Sequence, residues 1–455
     1  MIGNNNSKRV NRRAFVKHTL AGVIVTAFGG TLSGFTAKSY ARIIGANERI
    51  SVAIVGVNNR GRALAVNFAH QRNCRVTHIT DVDFRAIKKC IAAVTAVNGE
   101  TPHGEADFRR LLDDKSVDAL VMATPDHWHT PGTLLALRAG KHVYIEKPVS
   151  TTPHEGDLLR KASSKYPDIV IQVGTQRRSW PNIVTAIQEI HDGVIGRPYF
   201  GKGWYANNRR PIGIGKEVAV PSWLDYELWQ GPATRKPYKD NLIHYNWHWF
   251  WHYGHGELPG NGIHILDLLR WGMQVDYPIR ISSIGGRYQY EDDWETPDTQ
   301  TVDIEFADNK SMCWEGRSCN GVPLYNYPVG AMFYGENGSL LIGQGNEYKV
   351  FDLKGKIVKE VKSEFTADPM NRTNPSQQLD ALHIQNFFSA IREGSQLRSD
   401  IEDNYKSTLL CQLGNIAYRT GTMLQIDPAS GAIIGNQEAM GLWTKEYHPE
   451  FEPEI

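Results

Sequence analysis

The sequence predicts an α/β amino-terminal domain with a doubly wound parallel sheet, followed by an α+β domain with a largely antiparallel sheet. Two observations carry this. From Arg49 onward, short β-branched runs alternate with helical segments, the rhythm of βαβ units. Beyond residue 179 that rhythm gives way to segments that alternate apolar and polar residues, as half-buried strands do.

The elements follow in order. Arg49 to Val57 reads RISVAIVGV, a buried strand, and Leu64, Val66, Phe68 and Ala69 continue as a helix. Arg75 to Thr80 is a second strand and Val117 to Ala123 a third. Residues 131–139 are helical, Lys141 to Ile145 is a strand, 154–166 is a helix and Ile169 to Val173 a strand. Residues 174–179, GTQRRS, mark the exit from the first domain. Residues 181–193 are helical. Arg280 to Tyr290, Thr299 to Phe306, Ser311 to Gly316 and Ala331 to Tyr334 are strands. Two late helices, near 376–393 and 401–420, complete the chain.

The composition is that of a globular protein, with 41% hydrophobic and 22% charged residues in 455. Residues 1–41 hold six Lys or Arg and no acid, which leaves 44 basic against 49 acidic residues in the remainder. That balance argues against a nucleic-acid partner, which needs a basic face. Five cysteines show no zinc-ligand spacing. The cysteines read as buried free thiols, with a meeting of Cys313 and Cys319 across a turn as the alternative.

Residues 1–41 read as an export signal. RVNRRAFVK, residues 9–17, is followed by a weakly apolar run from Leu20 to Phe28 and by Ser39-Tyr40-Ala41. The run is too short to serve as a permanent membrane anchor. The pair Arg12-Arg13, then Phe15, Val16 and Lys17, closely resembles a twin-arginine signal. This implies delivery of the folded protein to the periplasm by the twin-arginine machinery. A disordered basic tail is the alternative.

The first strand runs into Gly56-Val57-Asn58-Asn59-Arg60-Gly61, a glycine fingerprint whose middle glycine is Asn58. Its glycines permit a tight turn and close approach to a pyrophosphate at a helix amino terminus. Asp81 closes the second strand 25 residues after Gly56, near the spacing of a ribose-binding carboxylate. A carboxylate there favours NAD over NADP. Arg60 would shift that balance if it reached the ribose, and Asp83 is a second candidate acid.

Two further strings are diagnostic together: ATPDHWHTP, residues 123–131, and GKHVYIEKPVS, residues 140–150. With the glycine loop they closely resemble the Gfo/Idh/MocA oxidoreductases, the family of glucose–fructose oxidoreductase and inositol dehydrogenase. The resemblance covers roughly everything after the signal. It implies a nucleotide-binding Rossmann domain over 48–175 and a substrate domain over 176–455, with the late helices packed back on the first domain. It also implies an NAD(P)-dependent reaction on a sugar hydroxyl. By this likeness Thr124, Pro125, His127, His129, Glu146 and Lys147 join Gly56, Asn58, Asn59, Arg60, Gly61 and Asp81 at the cofactor. Lys147 would also polarise the substrate hydroxyl. An N-cap role for Asp126 is an alternative use of that loop.

YNWHWFWHY, residues 245–253, leads into GHGELPGNGIHILD, residues 254–267. The family pattern Gly-x-Leu-x-Asp-x-Gly-x-His-x-x-Asp is matched at Gly256, Leu258, Gly262, His264 and Asp267, but Gly260 stands where the Asp is usual. His264 is the candidate acid–base group, as histidine titrates near neutral pH. Asn261 or Glu257 could supply the missing contact. Trp247, His248, Trp251, His252 and Asn261 are the candidate substrate-binding residues; Trp223 and Trp229, in PSWLDYELWQGPA, belong to the same wall or to packing. A metal held by His248, His252, His255 and His264 is the minority reading, since the family works without one. Three functions remain in view: a sugar oxidoreductase with a retained, internally recycled cofactor; a redox-neutral glycosidase that oxidises, eliminates and reduces; and a non-catalytic sugar-binding relative. Homo-oligomeric assembly is left open.

Overall fold

The computed structural model describes residues 49–365 and 377–455. The arginine pair and the rest of the expected export signal, 1–41, lie outside the described residues. From residue 48 onward the chain forms one unit with two sheets.

The first sheet has six parallel strands: β1 (Ile50–Val55), β2 (Cys74–Thr80), β3 (His103–Glu105), β4 (Ala119–Met122), β5 (His142–Ile145) and β6 (Ile171–Val173), in the order β3-β2-β1-β4-β5-β6. The central strands β1 and β4 are buried on both faces because helices cover both, while the edge strand β3 is largely exposed. Val52 and Ile54 of β1 point to one core, with α1 (Arg60–Ala69), α2 (Phe84–Asn98) and the late helix α8 (Gln377–Glu393). Ala53 and Val55 point to the other core, with α3 (His129–Arg138) and α4 (Pro153–Lys165). The docking of α8 on the first domain is direct: Phe388 meets the edge of Phe68 with centroids 5.6 Å apart.

After α5 (Pro181–His191) the second sheet begins at β7 (Pro198–Ala206). It has ten strands. β8 (Arg280–Gly286), β9 (Thr299–Phe306), β10 (Lys310–Arg317) and β11 (Val329–Gly335) fall where the alternation predicts; β12 (Ser339–Ile342), β13 (Tyr348–Phe351), β14 (Ile357–Val361), β15 (Leu424–Ile426) and β16 (Ile433–Ile434) extend it. Neighbours are antiparallel except β7 and β10, which run parallel at the centre. The sequence reading omits β7, PYFGKGWYA, because two glycines dilute its strand signal. The fold needs both. A Cβ on Gly203 would lie 2.5 Å from Ile265 and one on Gly201 2.8 Å from Met273, so helix α7 (Ile263–Met273) can sit directly on the strand. α5, α7 and α9 (Ile401–Thr420) cover this face of the sheet.

A buried charge network joins the domain junction to these helices. Arg178 donates twice to Asp267 of α7, at 2.7 and 2.8 Å, and reaches Asp403 of α9; Ser407 also donates to Asp267, at 2.7 Å. Arg178 and Asp267 are 7% and 2% exposed. Removing one partner strands the other charge in a low-dielectric interior. Asp267→Ala is therefore expected to cost about 3–5 kcal/mol, read as a lowered urea midpoint at unchanged slope. All five cysteines are free thiols, Cys313 and Cys319 included.

Candidate active site

A cleft of about 290 Å³ runs along the carboxyl edge of the first sheet and ends beneath the second domain. Open α/β sheets bind ligands at this edge. At its nucleotide end, Gly56 adopts φ +81°, and a Cβ there would sit 2.7 Å from the Ala123 carbonyl oxygen. A Cβ on Gly61 would fall 1.8 Å from the Gly56 oxygen. Gly56, Asn58 and Asn59 line the cleft; Gly61 lies behind them and lets α1 close on the turn. Asn59 precedes α1 without a side-chain cap, so the first-turn amides have no such partner. Asp81 lines the cleft and accepts from the Val57 and Asp83 amides at 2.6 and 2.9 Å; burial raises its carboxyl pKa. Asp83 has structural work instead. It caps α2 and binds Arg85 and His244, at 2.8 and 2.9 Å.

Arg60 also borders the cleft, but its guanidinium is engaged by Glu146 at 2.8 Å and Asp380 at 2.6 Å. That pairing ties it to the end of β5 and to α8. The same pair occupies Glu146. Thr124 and Pro125 line the wall, and the Thr124 hydroxyl is buried with no protein partner. His129 sits with its ring nitrogens 2.7 Å from the Pro148 oxygen and 2.9 Å from the Thr124 oxygen, tying the two diagnostic loops together. His127 corrects an expectation. It lies outside the cleft lining, its Nε2 is 2.7 Å from the Trp229 oxygen, and burial pushes its pKa down to about 3.

At the other end stand Lys147 and His264. The Lys147 ammonium donates to the Gly260 carbonyl oxygen at 2.6 Å, and desolvation lowers its pKa. His264, on α7, is buried with Nδ1 unpartnered. Burial first, then the charge of Lys147, holds it well below the ordinary histidine value. The expected near-neutral titration of His264 is thus corrected downward. Gly260 leaves open space, since a Cβ there would meet nothing within 4 Å. Glu257 accepts from Arg209 at 2.7 Å, from Ser318 at 3.0 Å and from Asn261, so it is not a free carboxylate.

The aromatic string divides. Trp247 stacks on His248, centroids 3.6 Å apart; both line the cleft, and burial takes His248 down to about 4. Trp251 and His252 do not line it. Trp251 packs beside Tyr418 and Arg419, and His252 Nε2 lies 2.7 Å from the Thr234 oxygen. The reason is local: Asn246–Trp249 form one 3-10 turn, after which the chain swings away before Gly256 at φ +73°. Among the described residues no group of three or more His, Cys, Asp or Glu could hold a metal.

The structure also brings in residues that the sequence left unassigned. Arg209, Tyr245, Trp249 and Gln176 line the substrate end. Asp126 lines the cleft and lies 3.2 Å from His255 Nδ1; it does not cap α3, whose N-cap is Trp128. Asp126 stood inside a quoted string, so its presence was visible. Arg209 sits in a motif-free loop and no local signal marks it.

These features fit an adenine dinucleotide: a glycine turn that no Cβ could enter, the Asp81 carboxylate after β2, and unpartnered buried oxygens on Thr124 and Gln176. Comparisons agree. Residues 50–175 match the GFO_IDH_MocA model, described as an oxidoreductase family, NAD-binding Rossmann fold; residues 212–340 match its C-terminal alpha/beta domain. Together these matches cover more than half of the chain. A glycosyl hydrolase family 109 protein of Saccharopolyspora erythraea is 35% identical over 182 residues, 39% of each chain. An inositol 2-dehydrogenase of Rubrobacter xylanophilus is 30% identical over 178 residues, 39% of this chain and 49% of that one. The chain thus spans less than half the length of these curated relatives. A levoglucosan dehydrogenase, solved with NADH and levoglucosan, has the same fold, with TM-score 0.64 and 18% identity over 83% of this chain and 99% of that one.

Proposed function

Since this chain belongs to the Gfo/Idh/MocA oxidoreductase family, we propose that it oxidises a hydroxyl of a sugar or glycoside with an NAD that stays bound and is recycled in place by returning the hydride to a carbonyl of a second sugar or of the same ring. The observation that carries this reading is the placing of Lys147 and His264 at the end of a dinucleotide cleft, under a wall of Trp247, Trp249 and Tyr245. Flat amphipathic rings suit the apolar faces of a sugar. Bound NAD would supply the two-electron acceptor for the hydroxyl-bearing carbon. The chain's own groups handle the proton. Burial favours the neutral amine of Lys147, which fits it to take the hydroxyl proton. His264, neutral and with Nδ1 free, can hydrogen-bond the same hydroxyl and fix its direction. The Gly260 carbonyl holds the amine in place.

The redox-neutral glycosidase reading has its own support. The likeness to a family 109 glycosyl hydrolase protein covers 39% of the chain, and Gly260 leaves room beside Lys147 for a substituent. Oxidation of a ring hydroxyl would acidify the neighbouring C–H; loss of that proton expels the aglycone, water adds to the resulting unsaturated ketone, and return of the hydride to the carbonyl restores the hydroxyl. The test is to quantify nucleotide released on denaturing the purified protein, then to assay free sugars and nitrophenyl glycosides with no added NAD. Aglycone release without accumulation of reduced cofactor supports the glycosidase. Turnover only with stoichiometric added NAD overturns cofactor recycling. Sugar binding without either reaction points to a non-catalytic relative.

We further propose export to the periplasm through Arg12-Arg13. A periplasmic enzyme has no free nicotinamide pool to draw on, which is the reason to retain the cofactor. Replacing both arginines by lysine keeps the charge and is expected to leave the protein in the cytoplasm, as measured by cell fractionation; unchanged delivery would refute the signal.

A further inference from the structure

The string PSWLDYELWQGPA borders the cleft through Leu228 and Trp229. It contains the short helix α6 (Tyr226–Gln230). At its start, the Asp225 amide donates to the Val82 oxygen at 3.0 Å and Leu224 bridges to Asp83, both just after β2. At its end, the Trp128 indole donates to the Leu228 and Trp229 oxygens at 3.1 and 3.2 Å, just after β4. Gly231, at φ +42°, passes so close that a Cβ would strike the Trp128 ring at 2.1 Å. In the sheet order, β1 lies between β2 and β4. A segment pinned to both neighbours therefore passes over the end of β1, where the Gly56–Gly61 turn begins. The dimensions agree: two strand spacings are about 10 Å, and five helical residues with their flanks span that distance.

The segment also faces the ligand. Leu228 and Trp229 line the cleft at the end where Ala106, Phe108, Trp128 and Asp81 stand. Asp81 marks the ribose, so this slot of flat and apolar groups beside it fits a purine base. The anchor is braced from behind. Phe451 meets Trp128 edge-on at 5.5 Å, and the His448 amide donates to the Pro232 oxygen at 2.9 Å.

We propose that residues 224–231 are a second half of the dinucleotide site, a strap under which the adenosine end is threaded. It makes an adenine dinucleotide with a free 2′-hydroxyl a retained group. The inference rests on the NAD reading above. Release requires the strap to leave the Val82 or the Trp128 anchor, so dissociation is governed by strap opening.

The test uses NAD alone, in the full-length protein. The wild type is expected to keep its nucleotide through desalting. Gly231→Ala, which forces the strap off Trp128, and Phe451→Ala, which removes the brace, are each expected to speed NAD dissociation by about tenfold or more. Melting curves verify that the variants fold. In the wild type, hydrogen exchange of the Asp225 and Trp229 amides should slow when NAD is bound, a readout that needs no variant. Wild-type NAD that exchanges within seconds, folded variants with unchanged dissociation, or exchange in 223–231 that ignores NAD would overturn the strap while leaving NAD binding intact. A wild type that binds no NAD would instead overturn the dinucleotide reading, and the strap with it.

Discussion

Lys147→Ala is expected to lower turnover about 10²–10⁴-fold, the usual worth of a positioned acid–base group, while bound nucleotide survives. The amine is held by the Gly260 oxygen at the substrate end, and no contact places it under the glycine turn. The pH profile carries the same assignment. Desolvation lowers the Lys147 pKa from the ordinary 10.5. A base works in its neutral form, so the oxidation rate should rise with pH through that lowered value and level off below 10.5. His264 is held well below 6.5, so no second limb is expected near the ordinary histidine pKa. A rate that falls as Lys147 loses its proton would assign the amine as a donor instead. A near-normal rate in Lys147→Ala would remove it from the chemistry.

Gly61→Ala is expected to weaken nucleotide binding, with affinity reduced by about 5- to 150-fold. In an ordinary helix the change from Gly to Ala stabilises by about 0.5–1 kcal/mol. Here the new Cβ would lie 1.8 Å from the Gly56 oxygen, so α1 or the turn must move. Overpacking of this kind costs about 1–3 kcal/mol, and sterics outweigh propensity. Gly260→Ala is the control, because its Cβ meets nothing within 4 Å. Calorimetric titration with NAD and a thermal melt on both variants decide it. Equal NAD affinity in the two would mean that the turn does not cradle the dinucleotide.

The first domain was legible because its signals are local. β1 declares itself by an unbroken β-branched run, and both of its faces are buried in the structure. Gly56, Gly61 and Asp81 were legible because a turn and a strand end fix their positions within one βαβ unit. The second domain was less so. β7 was hidden by Gly201 and Gly203, whose absent side chains make room for α7, a partner some sixty residues away. Arg60 read as a possible ribose contact; Asp380, 320 residues distant, claims its guanidinium.

The sequence by itself made the family, the parallel sheet and the glycine turn legible and singled out Asp81, Lys147 and His264 as candidates, since each lies in residues close along the chain or in a short motif. Only the tertiary structure decided which aromatics and histidines face the cleft. Trp247 and His248 do, while Trp251 and His252 do not, because a single 3-10 turn and a glycine at φ +73° redirect the chain, and His127 does not because it is turned to the Trp229 oxygen. It also decided that burial holds His264 well below the ordinary histidine value and that residues 224–231 are pinned to Val82 and Trp128. Burial, charge proximity and strap anchoring all depend on contacts between segments a hundred or more residues apart, and no periodicity or spacing encodes them.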